Sequence, residues 1–446
     1  MTDKQMEFID EGPLQPIHRD LSNLRCAIHL LEALRSDPDD LQRLLALQRF
    51  LHNRICGRER HIARLRLLCA RQRASLRTGR REKADSNALK RRIDLCYIMV
   101  RTSKRWLFIW KSFGDGAACV YQSPYNLKHL FYDHNYEVKE DAGNITGKAG
   151  FAKEWEYLEW AIREGVPSVL ADLTNMIRTG DLCLLAAEDP FPMEIKTSQT
   201  SGARNARQHR NLLEVLAFYE NDGAENFRGI PKVTRRSVSL APSYERVMND
   251  CIAAARIDGL ASATAETGLH YVAWQSRADG VGLLDALNLK GTLAWLLTPT
   301  PNWLPCSPFT LSLTSDNLLS FVTGEITMCV LIDTNHLKSL FHQRGTHAIM
   351  LMDGTFAMQL CRDASDLMKG VDRVNELLFA RIALEFQSLE WFAEQYSYKP
   401  AETIPLTPAE VMPRIYLREA PDDWVQAVDC YDGTPGAMQV DRDVED

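Results

Sequence analysis

Apolar residues recur at three- and four-residue spacing from about Leu21 to Leu76, within a stretch rich in Leu, Ala, Arg and Gln. This is the period of helices with one buried face, and "LQRLLALQRFLHNRI" and "HIARLRLLCARQRASL" show it plainly. "SDPDD", with Pro38 near a helix start, separates an earlier helix from these. "RTGRREKADSN" reads as a loop, and "ALKRRIDLCYIMV" resumes a helix. The first hundred residues are expected to form a helical hairpin or small bundle.

The pattern changes at "RWLFIWKSFGDGAACVY", which is aromatic and broken by glycine, and "DHNYEVKEDAGNITGKAG" is polar and loop-like. "FAKEWEYLEWAIREG" is a helix ended by Gly165, with Pro167 two residues beyond. Two strands, "DLCLLAA" and "FPMEIKTS", then a helix, "ARNARQHRNLLEVLAFYEN", and a third strand, "KVTRRSVSL", follow. That order predicts a mixed α/β core. After Pro242 come a helix, "SYERVMNDCIAAARIDGL", and the strands "LHYVAWQ", "TLAWLLT", "EITMCVLI" and "HAIMLMDGTFAMQL". A last helix spans Asp372 to Tyr396. The expected segments are a helical, basic region over 1–105, an α/β core over 106–241, a C-terminal α+β domain over 242–398 and an acidic, proline-containing tail over 399–446.

Length and composition fit this division. At 446 residues the chain exceeds one ordinary core, and 45% hydrophobic with 25% charged residues is a globular composition. No apolar run approaches a bilayer span, and "MTDKQMEFIDEG" does not read as a signal peptide, so a cytoplasmic protein without membrane contact is expected. The 11 cysteines show neither CxxC nor zinc-finger spacing and read as reduced thiols. The net charge of −7 hides an uneven distribution: Arg54 to Arg105 carries 17 Lys/Arg against 4 Asp/Glu, and Ala401 to Asp446 carries 11 acids against 3 arginines. A basic arm points to a polyanion, and the acidic tail would repel one or cover the arm.

Chemistry concentrates in "GDLCLLAAEDPFPMEIKTS". A hairpin there puts Asp181 at the start of one arm and Glu194 at the abutting position of the next, with Lys196 on the same face as Glu194. Two converging carboxylates are the hard-oxygen ligands that Mg²⁺ takes, with Mn²⁺ as a substitute, and a nearby lysine offsets transition-state charge in phosphodiester hydrolysis. The bland alternative is a surface Glu–Lys pair, worth under about 1 kcal/mol. A second set, Asp115 with Glu137 and Lys139, has the same residue types but no clean strand before its glutamate.

"GDL" followed after one strand by "MEIKTS", between a glutamate-bearing helix and a Gln/Arg-bearing helix, resembles the PD-(D/E)XK superfamily of restriction endonuclease-like nucleases. The resemblance covers about Phe151 to Leu240, with Gly180 standing where the family's proline would be. It implies an α/β fold with a restriction endonuclease-like mixed-sheet core. It also implies Asp181 and Glu194 as metal ligands, Lys196 as the catalytic lysine, and a glutamate from the preceding helix. Helical phasing favours Glu159 for that glutamate, with Glu154 second. Some members use a Gln or basic residue from the following helix against the scissile phosphate, here Gln208 with Arg207 and Arg210.

The expected activity is Mg²⁺-dependent nucleic-acid cleavage, DNA before RNA, with Arg80, Arg81, Arg91 and Arg92 of the basic arm tracking the backbone. "GNITGK" is one residue short of a phosphate-binding loop and follows no strand, so an ATPase or helicase would have to act in trans. By analogy such a chain fits a prokaryotic anti-phage defence effector. The rival expectation is a non-catalytic nucleic-acid-binding or scaffold subunit with a nuclease-like fold. Surplus apolar residues on the helix from Asp372 to Tyr396 predict a buried or partner-facing helix, and in the second case a homodimer through the C-terminal domain.

Overall fold

The structure, a computed structural model, describes residues 18–77, 82–134, 137–140, 143–195, 203–235, 241–276, 291–363, 365 and 372–397. Lys196, Arg80, Arg81 and the acidic tail lie outside these residues. The protein is mixed α/β and folds as two units. One comprises the described residues up to 235 together with Pro299–Thr323, and the other the described residues from 241 to Thr298 and from Gly324 onward.

In the first unit α1 (His18–Ser36) leads into α2 (Leu41–Arg77, 37 residues) and α3 (Lys83–Tyr121, 39 residues). The last two run antiparallel, since Phe50 meets Trp110 with ring centroids 6.2 Å apart while Cys69 clusters with Ile93 and Cys96. Leu44, Leu47, Leu51 and Ile55 supply the buried stripe of α2. The boundary expected at 105/106 falls inside α3. Its "glycine-broken" stretch is helix because those glycines serve packing. A Cβ on Gly114 would lie 2.0 Å from the Leu173 carbonyl oxygen, and one on Gly116 would lie 2.8 Å from Thr310 Oγ1. Trp106, Trp110 and Phe113 are buried on the same helix.

α4 (Pro124–Phe131) and α5 (Phe151–Arg163) precede a three-stranded antiparallel sheet of β1 (Ser168–Leu170), β2 (Leu182–Leu184) and β3 (Phe191–Met193), in that order. β1 is not visible in the sequence pattern, because a three-residue strand, Ser-Val-Leu, is too short to show a period. Gln48 of α2 satisfies its backbone, donating to Ser168 O at 2.9 Å and accepting from Leu170 N at 3.0 Å. A 3₁₀ turn, Ala171–Leu173, follows β1. α6 (Ala203–Asn221) comes after β3, then a two-stranded hairpin of β4 (Gly223–Phe227) and β5 (Ile230–Thr234).

The second unit holds α7 (Glu245–Asp258) and a four-stranded antiparallel sheet of β6 (Leu260–Glu266), β7 (Leu269–Gln275), β8 (Thr292–Leu297) and β9 (Ile326–Asp333), ordered β6-β7-β9-β8. Between β8 and β9 the chain forms α8 (Phe309–Ser312) and α9 (Ser315–Thr323) of the first unit, where Thr310 Oγ1 donates to Ser112 O at 3.1 Å. After α10 (Thr334–Gln343), β10 (His347–Met350), β11 (Phe356–Cys361) and β12 (Asp372–Asn375) form a separate sheet. "TMCVLI" and "AIMLM" therefore belong to different sheets.

The helix expected from Asp372 to Tyr396 is a strand and two helices, α11 (Glu376–Leu384) and α12 (Leu389–Tyr396). Asn375 and Ser388 cap them, each side chain accepting a backbone N–H of its helix, and Phe386 between them has φ +53°. Ile382, Leu384, Phe386, Leu389 and Phe392 are buried within this unit, which absorbs the apolar surplus that pointed to a homodimer.

Candidate functional site

The hairpin forms as its pattern predicts. β2 and β3 pair antiparallel with Leu182 opposite Met193, so Asp181 and Glu194 face each other one step beyond. Gly180 turns the chain into β2 at φ +81°, a conformation that L side chains rarely adopt, and a Cβ there would lie 2.9 Å from Met193 O. The Asp181 N–H donates to Met193 O at 2.7 Å, and Asp181 Oδ2 accepts from Ile195 N at 2.9 Å.

Around this pair stand Glu154, the second choice of the helical phasing, and two residues that no sequence pattern assembles, Lys148 and Asp172. Lys148, from the rejected "GNITGK" loop, donates from Nζ to Asp172 Oδ2 at 2.8 Å, Glu154 Oε2 at 2.9 Å and Asp181 Oδ1 at 3.0 Å. Asp172 comes from the 3₁₀ turn after β1 and Glu154 from the first turn of α5; both are buried. Burial works against the Lys148 charge, but the hydrogen bonds and charges of Asp172, Glu154 and Asp181 outweigh it and hold its pKa well above the ordinary lysine value. Burial, then the neighbouring Asp181, pushes the Glu194 pKa up, while Lys139 and Lys148 act in the opposite direction. Burial also raises the Glu154 pKa, with Asp181 and Asp172 adding to it and Lys148 opposing it.

Glu159, the expected helix contributor, is directed elsewhere: it accepts from Arg49 Nη2 at 2.7 Å and Trp155 Nε1 at 2.9 Å. Phe151 stacks on His52 of α2 and Trp155 packs against the same ring at a tilt, so the side of α5 that meets the sheet is centred on Glu154, Leu158 and Ala161. Phasing that takes Trp155, together with Leu158 and Ile162, as the buried face is off by part of a turn.

The second Glu-x-Lys set separates. Asp115 is buried in α3 and accepts from Asn175 N at 2.7 Å, Met176 N at 2.8 Å and Asn175 Nδ2 at 2.8 Å, while Glu137 is exposed. Its lysine is drawn toward the site. Lys139 Nζ donates to Thr179 Oγ1 at 3.3 Å, two residues before Asp181. Burial lowers its pKa, with Asp133 and Glu194 opposing and Arg228 and Arg207 reinforcing the shift. Gln208 is half-buried on α6, and Arg207 and Arg210 are exposed there, as are Arg91 and Arg92 on α3. Asp172 did leave a trace in the sequence, an acid directly after the apolar "SVLA". Lys148 left none beyond its charge.

For a divalent cation the donor set is chemically apt: carboxylate oxygens only, from four elements. Among the described residues no three His, Cys, Asp or Glu side chains are grouped closely enough to ligate one ion. Mg²⁺ commonly takes one or two carboxylates and completes its shell with waters and phosphate, which Asp181 and Glu194 satisfy. Comparison with protein-family models, curated proteins and solved structures gave no match. Among the described residues no helix is long and apolar enough to cross a membrane.

Proposed function

We propose that the chain is a metal-dependent nuclease that hydrolyses nucleic-acid phosphodiester bonds, DNA before RNA, on a restriction endonuclease-like core. The observation that carries this reading is the meeting of Asp181, Glu194, Glu154 and Asp172 at one end of the β1-β2-β3 sheet, beside exposed arginines on α6. Burying several carboxylates together is costly unless cations balance them. Asp181 and Glu194 would hold Mg²⁺ or Mn²⁺. When bound, the ion supplies the electrophilic charge that phosphodiester hydrolysis needs.

The protein's own groups do the rest in this reading. Lys139, held by Thr179, puts positive charge beside Glu194, and Arg207 adds its charge near Lys139, where a phosphate would sit. Lys196, outside the described residues, keeps the role that the family resemblance implies. Arg91 and Arg92 on the long α2–α3 arm would follow the nucleic-acid backbone. A role as a prokaryotic defence effector, with any ATPase or helicase acting in trans, is an analogy from domain layout.

The deciding experiment incubates the purified chain with plasmid and with single-stranded DNA and RNA, with and without Mg²⁺, beside Glu194→Ala. Metal-dependent cleavage lost in Glu194→Ala supports the reading, and no cleavage of any substrate refutes it. A second reading, a nucleic-acid-binding subunit that does not cut, draws on the Lys148 ammonium already being ion-paired with three of the carboxylates. Salt-dependent binding without cleavage would favour it.

A further inference from the structure

The loop that carries Lys148 is held from the far side. Glu59, buried on α2, accepts from Ile145 N at 3.1 Å through one oxygen and from Thr146 N at 2.8 Å through the other. Two consecutive amides gripped by one carboxylate fix the direction of the chain that follows. Lys148 N then donates to Ile145 O at 3.0 Å, Gly147 turns at φ +90°, and Ile145 is buried. The side chain of Lys148 is left 30% exposed, with its ammonium among carboxylates that are themselves 3%, 7% and 18% exposed.

We propose that Lys148 is a built-in counter-cation of the carboxylate site, set in place by the Glu59 grip, and that a divalent ion binds only as the Lys148 ammonium withdraws. This rests on the reading of Asp181 and Glu194 as metal ligands. An ammonium at hydrogen-bond distance from Asp181 uses one of the oxygens that a metal would take, and it repels a second cation a few ångström away. Withdrawal is a movement of the side chain, and its exposed side gives it a path to solvent. In the absence of metal the same ammonium keeps the carboxylates from repelling one another apart.

The test titrates Mn²⁺ into the wild-type full-length chain, Lys148→Met and Glu59→Gln by calorimetry, and follows thermal unfolding in EDTA and in Mn²⁺. Lys148→Met is expected to bind Mn²⁺ at least tenfold more tightly than wild type. It should also melt lower than wild type in EDTA and recover most of that loss in Mn²⁺, since a ligand that binds only the folded state raises stability with its concentration. Glu59→Gln keeps every charge of the site but presents an amide to the two backbone N–H groups; it should tighten Mn²⁺ several-fold. Should Lys148→Met fail to fold, Glu59→Gln alone decides. Equal Mn²⁺ affinity in wild type and the folded variants overturns the counter-cation role while leaving the metal ligands standing. No Mn²⁺ binding to any of the three proteins removes the metal reading, and this inference with it.

Discussion

Lys148 Nζ and Asp172 Oδ2 lie 2.8 Å apart, and neither residue belongs to the acid–acid–lysine pattern that singles out the hairpin in the sequence. Their pairing joins a loop before α5 to a turn after β1. It makes the site a meeting of four chain segments instead of a property of one hairpin.

Asp181→Ala and Glu194→Ala are expected to lower metal-dependent cleavage at least about a hundredfold, as expected when a group that stabilises transition-state charge is removed. Lys196→Ala should do the same. Glu154→Gln should lose activity because its carboxylate faces Lys148 and Asp181, whereas Glu159→Gln should lose none, since Glu159 is engaged by Arg49. Glu137→Ala should also be neutral. Initial rates on one DNA substrate at saturating Mg²⁺ compare all six. An active Glu154→Gln with a dead Glu159→Gln would reverse the assignment.

Gly180→Ala and Gly165→Ala separate strain from collision. Both glycines have positive φ, +81° and +80°, which costs an L residue about 1–2 kcal/mol. Nothing lies within 4 Å of a Cβ on Gly165, whereas one on Gly180 meets Met193 O at 2.9 Å and Met193 N at 3.0 Å. Urea unfolding should show Gly180→Ala as the more destabilised of the two, and only that variant should lose cleavage through displacement of Asp181.

Charge reversal at Arg91 and Arg92 should weaken nucleic-acid binding and reduce its salt dependence without changing metal affinity. Each phosphate that the arm no longer neutralises lowers the slope of log affinity against log salt by about one. Arg80 and Arg81, in the connection between α2 and α3, are expected to add to the effect. An unchanged slope would mean that this arm does not touch the backbone.

His129 gives a prediction in acid. Its ring is buried against Phe218 and Phe227, with centroids 5.0 and 5.8 Å away, and its Nδ1 has no hydrogen-bond partner. Burial, with the charges of Lys128, Arg228 and Arg235, lowers its pKa from 6.5 to about 2. Below pH 6.5 the unfolded chain takes up a proton that the folded one refuses. The stability His129 contributes is therefore full above pH 6.5 and lost as pH falls toward 2, at up to ~1.4 kcal/mol per pH unit. Unfolding free energies between pH 6.5 and 4 should fall less steeply in His129→Phe than in wild type.

The linear pattern of residues was enough for the elements whose signal is local. α6 over Ala203–Asn221, β7 over Leu269–Gln275 and the end of α5 before Gly165 lie where period, length and stop residues put them. The pairing of Asp181 with Glu194 was legible for the same reason, because hairpin register follows from the spacing of its two arms. Packing in three dimensions determined what depends on neighbours distant in sequence. Gly114 and Gly116 belong inside a helix only because Leu173 and Thr310 press against it. The choice of Glu154 over Glu159 was made by Arg49 and His52 on another helix. Lys148, which reads in the sequence as a failed phosphate loop, reaches the carboxylates because Glu59, 86 residues from Ile145, holds its loop by backbone amides. Period and spacing encode what a residue's near neighbours can do. A charge's partner is chosen by whichever segment packs closest, and no local pattern records that choice.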